Sequence, residues 1–271
     1  MRRACFLAAA VLMVSLGLWA QETGVPTPTV EVEGGLRHEF AVVPGGSYTG
    51  SILVRSKSQG PVTVTVTIRD LLYFADGRVI YGEPGTNPRT SIPWLTFFPK
   101  EVTLEPGQEM TVSYRIDVPS DPELRGSYWC VLLISPQAPT PTGEGVVAIV
   151  QIVQYAVLII ADIAPNPGEC SLKLADLTIY RTEEGQLVQV DLVNDGERRL
   201  RPLAYLELYS SEGEYLGRFE SSLGQRNILP GCSVRHKIPL PALDEGKYPA
   251  LLVVDNLDEC VWGTQVTIEV K

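Results

Sequence analysis

The sequence predicts an all-β protein made of two tandem β-sandwiches that follow a signal peptide. Val62 to Ile68 alternates Val or Ile with Thr at every position, which is the period of a half-buried strand. The 24 Gly and 21 Pro supply turns between such runs. After the leader, no segment has the apolar spacing of an amphipathic helix.

Residues 1–20 are predicted to be the signal peptide. Arg2 and Arg3 precede an apolar stretch that runs to Trp19 with Ser15 as its one polar residue, and cleavage is expected after Ala20. The mature chain then has 251 residues, with 20 basic and 32 acidic side chains and a net charge of −12. We therefore expect a secreted protein of the periplasm or cell envelope, the alternative being an uncleaved N-terminal anchor.

A repeated pattern divides the mature chain. Leu104-Glu105-Pro106-Gly107 precedes a strand pattern that is followed by Gly126-Ser127-Tyr128, and Leu229-Pro230-Gly231 precedes one followed by Gly246-Lys247-Tyr248. The two Gly-x-Tyr units lie 120 residues apart, close to the length of one immunoglobulin-like sandwich.

The break between the two repeats is predicted at Ala164-Pro165-Asn166-Pro167-Gly168, which strands and helices both tolerate poorly. The predicted domains are therefore residues 30–163 and 169–271, each an immunoglobulin-like sandwich.

Composition argues against several classes of function. A net charge of −10 and a pI of about 4.8 do not suit a nucleic-acid-binding protein. His38 and His236, the two histidines, read as surface or strand residues, and no nucleophile, phosphate or zinc motif is present, so we predict no enzyme, no cofactor and no metal. Asp255, Asp258 and Glu259 are predicted to form a solvated turn, and a weak calcium site is the less favoured alternative.

Four cysteines follow the leader in a compartment that permits disulfides: Cys130, Cys170, Cys232 and Cys260. Strand order puts Cys232 and Cys260 at one end of the second domain, which makes them the candidate pair. Cys170 lies at the same end and competes as a partner. Cys130 lies within a strand and is predicted to be a buried free thiol.

Val146 to Ala161 is the most informative segment. It carries no charge, and its 16 residues are too few for a membrane-spanning helix, so we predict one long strand and no integral membrane span. Both of its faces are apolar, and a Pro-rich loop, residues 135–145, precedes it. Such a strand suits capture of an extended chain by strand addition, the alternative being a central strand covered by its own domain. The predicted partner-binding residues are Val147, Ile149, Gln151, Val153, Tyr155, Val157 and Ile159.

The architecture and four segments together resemble the periplasmic pilus (fimbrial) chaperones and related secreted chaperone-like proteins. The segments are Trp94–Pro99, Val102–Gly107, Ile116–Pro119 and Gly126–Trp129. The resemblance covers nearly all of the mature chain. These motifs are mostly turns and core positions, so they specify the architecture better than the activity.

The resemblance implies a non-enzymatic protein whose last strand in the first domain is lent to the incomplete sheet of a secreted subunit. It also implies a basic pair that anchors the terminal carboxylate of that subunit. Arg37 is the candidate for one member of the pair, but no Lys or Arg occurs from Ala138 to Leu172, and Gln154-Tyr155 stands where some relatives have Arg-Tyr.

The sequence thus predicts a chaperone-like protein that binds extended polypeptides or pilus-type subunits by β-strand addition. The alternative is a structural or adhesive immunoglobulin-like module of the cell envelope. An enzyme or a calcium-dependent binder is the third class.

Overall fold

The computed structural model describes residues 28–138, 151–183 and 185–270. These residues form seventeen β-strands and one 3-10 turn, Ile92–Trp94, so the all-β prediction is confirmed. Within the same ranges, no helix is long and apolar enough to cross a membrane. The predicted signal peptide lies outside the described residues.

The first sandwich is built of two sheets. Its strands are β1 Val30–Glu33, β2 Arg37–Val42, β3 Ser47–Ser56, β4 Val62–Tyr73, β5 Val79–Gly82, β6 Leu95–Phe98, β7 Glu101–Leu104, β8 Glu109–Asp117, β9 Ser127–Pro136 and β10 Tyr155–Ile163. One sheet has the strand order β1-β3-β8-β6, and the other has the order β2-β10-β9-β4-β5, with β7 also paired to β4.

The core of the first sandwich follows from the period-two patterns. Val62, Val64 and Val66 of β4 are buried, whereas the threonines between them face outward and are partly exposed. The inward face of β8, which belongs to the other sheet, meets this face across the sandwich. Burial of one apolar face on each sheet provides the main stabilisation of such an architecture.

The second sandwich repeats this plan with fewer strands. Its strands are β11 Leu172–Thr182, β12 Gly185–Asn194, β13 Leu203–Tyr209, β14 Tyr215–Glu220, β15 Ser233–Leu240, β16 Gly246–Asp255 and β17 Val261–Val270. Its sheets have the orders β11-β12-β15 and β14-β13-β16-β17. The turns that the sequence singled out lie where expected: Gly107 just precedes β8, Gly231 just precedes β15, and the two Gly-x-Tyr units lie at the starts of β9 and β16.

The chain changes sheets between its first two strands. β1 pairs with β3 in one sheet, and β2 pairs in parallel with β10 in the other. Gly34 and Gly35 connect them with φ values of +92° and +89°, which side chains disfavour. These two glycines allow the chain to cross from one sheet to the other within three residues.

His236 is a core residue of the second sandwich. It lies on β15 with no exposed surface, and its Nδ1 is 3.0 Å from the Ser221 hydroxyl oxygen. Burial lowers the pKa of His236 to about 4, because the charged imidazolium loses its hydration. The folded chain therefore holds this ring neutral.

We predict that His236 makes the protein sensitive to mild acid. Between pH 6.5 and pH 4 the unfolded chain binds a proton at this ring that the folded chain does not, so the free energy of unfolding falls as the pH falls. The difference amounts to about 2.5 kcal/mol at pH 4.5 relative to neutral pH. Urea unfolding at both pH values should show a weaker pH dependence in His236→Gln. The control His38→Gln retains His236, so its free energy of unfolding should still fall at the lower pH by most of the wild-type amount. An equal pH dependence in His236→Gln and wild type would contradict the role given to His236.

Candidate functional site: the edge of the last strand of the first sandwich

Strand β10 is shorter than the sequence predicted. Pairing with β9 begins at Tyr155 opposite Ile134, and Gln151 to Gln154 are exposed and belong to no strand. The predicted 16-residue strand is therefore wrong over its described N-terminal part. The pairing ends at Ile134, two residues before β9 itself ends at Pro136. Val147 and Ile149 lie outside the described residues.

One side of β10 is only partly covered. The parallel pairing with β2 begins at Leu158 opposite Arg37, and the Leu158 N–H donates to the Leu36 carbonyl at 2.9 Å. In the described part of the chain, no strand pairs with Tyr155–Val157 on this side. Backbone groups alternate along a strand, so those of Ala156 face the uncovered side. We call Gln151–Val157 the open edge.

Two apolar side chains project from the open edge. Ile152 is 40% exposed and Val153 is 50% exposed. The Gln154 side-chain amide donates to the Ser135 hydroxyl, and the Tyr155 hydroxyl donates to the Val30 carbonyl at 3.0 Å. These bonds fix the open edge to β9 and to the first strand of the facing sheet.

Two of the predicted partner-binding residues have buried side chains. Val157 and Ile159 have their side chains in the core of the first sandwich, with 0% and 1% exposure. Ile159 is also paired on both sides, opposite His38 and opposite Cys130, so neither its backbone nor its side chain is available. Gln151, Val153 and Tyr155 lie at the open edge.

The opposite face of β10 packs on the second sandwich. Ile160, Trp129 and Val131 form one buried cluster with Leu229 and Cys232, which come from the turn that precedes β15. The Trp129 indole N–H donates to the Leu71 carbonyl at 2.7 Å. This contact explains why the sequence of β10 is apolar on both faces.

Arg37 lies where the open edge ends. Its Nε is 2.8 Å from Glu39 Oε1, and the same oxygen is 3.0 Å from a guanidinium nitrogen of Arg199. Arg199 also contacts Asp162 at 2.7 Å. Arg37, about half-exposed, thus begins a chain of alternating charges that leads into the space between the sandwiches. Its role as a carboxylate anchor stays a prediction.

A second group of charges joins the sandwiches nearby. Glu197 contacts Arg125 at 2.8 Å and Arg89 at 3.2 Å. Its pKa is lowered by the backbone N–H of Glu169 and then by these arginines. At Gly126 a Cβ atom would lie 2.1 Å from the Glu197 carbonyl oxygen, so this close approach requires glycine.

Sequence reasoning did not find this interface. Neither Arg199 nor Glu197 belongs to a recognisable motif, and their ion-pair partners Asp162 and Arg125 are 37 and 72 residues away along the chain. The one available signal was the second apolar face of β10.

The disulfide differs from the expected one. Cys170 is bonded to Cys260, with their Cα atoms 6.6 Å apart, and Cys232 is free and buried. The predicted Cys232–Cys260 pair is therefore wrong, because Cys232 packs beside Leu229 in the cluster between the sandwiches. Cys130 is buried and free, as predicted. Burial raises the pKa of Cys130 to about 12 and that of Cys232 to about 11, so both stay protonated at neutral pH.

The carboxylates in the acidic turn of the second sandwich contact other groups of the protein. Asp258, Glu259 and Cys260 lie together, but Cys260 is in the disulfide. Arg198 contacts both carboxylates, at 3.3 and 2.8 Å. One arginine from the same sandwich thus forms ion pairs with both carboxylates.

Comparison with known proteins gives structural likeness and no sequence match. No family model matches the chain, and no curated protein matches it. Among solved structures, a class 5 fimbriae chaperone, CfaA, is 13% identical with a TM-score of 0.47, covering 88% of this chain and 98% of its own. The chaperone and tip-adhesin complex CsuC–CsuE from Csu pili of Acinetobacter baumannii gives 11%, a TM-score of 0.42, and coverage of 88% and 97%. The E. coli chaperone DraB gives 13%, a TM-score of 0.42, and coverage of 90% and 98%.

Pilus chaperones thus stand among the solved structures that resemble this chain, in line with the resemblance seen in the sequence. At these identities and with TM-scores below 0.5, the likeness carries no argument about activity. The function of the chain has to come from its own geometry.

We predict that loss of the disulfide destabilises the second sandwich. The bond joins residues 90 positions apart, and loop entropy gives at most about 4.6 kcal/mol of stabilisation for such a loop. Cys170→Ser with Cys260→Ser should lower the free energy of unfolding, whereas Cys232→Ala should leave the crosslink intact. Non-reducing peptide mapping checks the connectivity, and a Cys232–Cys260 peptide would contradict it.

Proposed function

We propose that the protein is a secreted, non-enzymatic chaperone-like protein that binds an extended polypeptide by strand addition at the open edge of β10. The observation that carries the proposal is the absence of a strand beside Tyr155–Val157 in the described part of the chain, next to the exposed Ile152 and Val153. An added strand would find backbone groups to pair with and apolar side chains to contact, which is the physical basis of β-augmentation.

The open edge is supported by a rigid base. β10 is paired with β9 from Tyr155 to Asp162, and its two faces are buried in the first core and against the second sandwich. Tyr155–Val157 are therefore already in the conformation that pairing requires, so over this stretch binding orders only the incoming chain. Pilin-type or other secreted subunits are the partners that we propose.

In this proposal, Arg37 defines the direction in which the added strand runs. It lies opposite Leu158, one residue beyond the unpaired stretch. A terminal carboxylate of the partner at this position would compete with Glu39 for the guanidinium. We propose that Arg37 contributes to recognition in this way.

The structural-module alternative has one observation in its favour. The two sandwiches are joined by a buried apolar cluster and by ion pairs of Arg199 and Glu197, which suits a stiff spacer. A spacer does not need the open edge, so substitutions there distinguish the two functions.

We predict that Val153→Asp weakens partner binding. A carboxylate at this position would be desolvated by an incoming strand, which should weaken binding at least tenfold. Val79→Asp is the matched control, because Val79 is a valine of similar exposure, 52%, on β5 at the other edge of the same sheet. Co-purification with secreted subunits encoded beside the gene measures the effect. If Val153→Asp and Val79→Asp retained equal amounts of partner, the proposal would be contradicted.

A second prediction tests the backbone directly. Ala156→Pro removes an N–H that faces the uncovered side, where no described strand accepts it, so it should weaken binding at least tenfold while the sandwich still folds. Ala156→Ser keeps the N–H and should bind as wild type. Circular dichroism and thermal unfolding verify the fold of both variants, and unchanged binding by a folded Ala156→Pro would exclude pairing at this position.

A further inference from the structure

A groove of about 460 Å³ lies on the outer face of the second sandwich, on the sheet β14-β13-β16-β17. Tyr209 of β13 lines one side, and Gln265 and Thr267 of β17 line the other. Pro249 and Leu251 of β16 lie between them, because β16 pairs with both of those strands. The volume is in the usual range for a small-molecule site.

The walls of the groove carry no charge. Among the described residues, its lining consists of Tyr209, Pro249, Ala250, Leu251, Gln265, Val266 and Thr267. Charged residues that flank it on the same face stand in cross-strand pairs of opposite sign, Glu207 opposite Arg218 and Lys247 opposite Glu269. An ionic ligand would therefore lose water without meeting a counter-charge on the walls, so a neutral ligand is favoured.

The polar side chains of the groove are available to a ligand. Gln265 and Thr267 are exposed, and neither the amide nor the hydroxyl is hydrogen-bonded to another residue in the part of the chain that the structure describes. An amide and a hydroxyl each offer both donors and acceptors. Ligand hydroxyl groups, which also donate and accept, match this pair.

Tyr209 provides an aromatic wall that is held in place. Its hydroxyl donates to Glu207 Oε2 at 3.2 Å, and its ring centre lies 5.6 Å from that of Tyr215, which is 58% exposed. The ring of Tyr205, two residues earlier on β13, is covered by the Arg218 guanidinium at 3.5 Å. The aromatic surface beside the groove therefore belongs to Tyr209 and continues to Tyr215. Such rings pack against apolar groups of a ligand while their hydroxyls stay in water.

We propose that this groove binds a neutral sugar. The C–H groups on one face of a pyranose ring pack on Tyr209 and Leu251, and the hydroxyls at its rim bond to Gln265 and Thr267. A sugar combines an apolar face, hydroxyl groups and no charge, which are the three properties of the groove. The groove lies on the second sandwich and the open edge on the first, so this proposal stands or falls independently of strand binding.

Probes that share one ring and differ in charge test the proposal on the full chain. Methyl β-glucoside and methyl β-galactoside are neutral, methyl β-glucuronide is negative and methyl β-glucosaminide is positive. Each is titrated into ¹⁵N-labelled protein, and the Gln265 side-chain amide and the Gln265 and Thr267 backbone amides are followed by NMR. At least one neutral probe should shift these signals, and the charged probes should bind about tenfold more weakly. Absence of shifts with both neutral probes, or equal or tighter binding of a charged probe, overturns the proposal.

Tyr209→Leu tests the aromatic wall. It retains an apolar side chain without the ring, so binding of the neutral probe should weaken about tenfold, whereas Tyr209→Phe keeps the ring and should bind as wild type. Tyr180→Leu is the matched control, because Tyr180 is a 44% exposed tyrosine on β11 in the other sheet of the same sandwich. Undiminished binding by a folded Tyr209→Leu overturns the proposal. If that variant does not fold, the four probes on the wild-type chain decide.

Discussion

The burial of β10 on both faces is the constraint on which the rest of the structure depends. Val157 and Ile159 fill the first core, whereas Ile160 packs with Trp129 against Leu229 of the second sandwich. Full burial of such side chains contributes about 1.5–3 kcal/mol each, so the strand ties both cores and their interface together. With both faces occupied, the edge is the remaining side of β10. Among the described residues, β2 begins only after the crossing at Gly34–Gly35, so no strand pairs with Tyr155–Val157 on that side.

Electrostatics at the interface complements this packing. The chain is acidic overall, yet arginines gather between the sandwiches, where Arg199 and Arg89 are each less than a fifth exposed. Exposed ion pairs contribute little, but partly buried pairs with short contacts are strongly orienting. Together with the glycine contact at Gly126, they fix how the two sandwiches meet.

Features that depend on neighbouring residues were predicted from the sequence, whereas features that depend on contacts between distant residues were not. The alternation of Val62 to Ile68 and the turns at Gly107 and Gly231 depend on neighbouring residues, and these strands were found where expected. The favoured partner of Cys260 was wrong and the competing one, Cys170, is the bonded one, because pairing depends on which cysteines the fold brings within about 7 Å. The length of β10 was overestimated, because apolar character alone does not reveal where pairing with β9 ends.

The sequence by itself determined the all-β class, the repeated turns and the importance of the last strand of the first sandwich. Periodicity and turn chemistry act over a few residues, and a single chain displays them directly. Tertiary structure alone decided that Val157 and Ile159 are core, that the open edge is Gln151–Val157, and that Arg199 and Glu197 join the sandwiches. These outcomes depend on contacts between residues that are distant in sequence, and no local pattern encodes which of them meet.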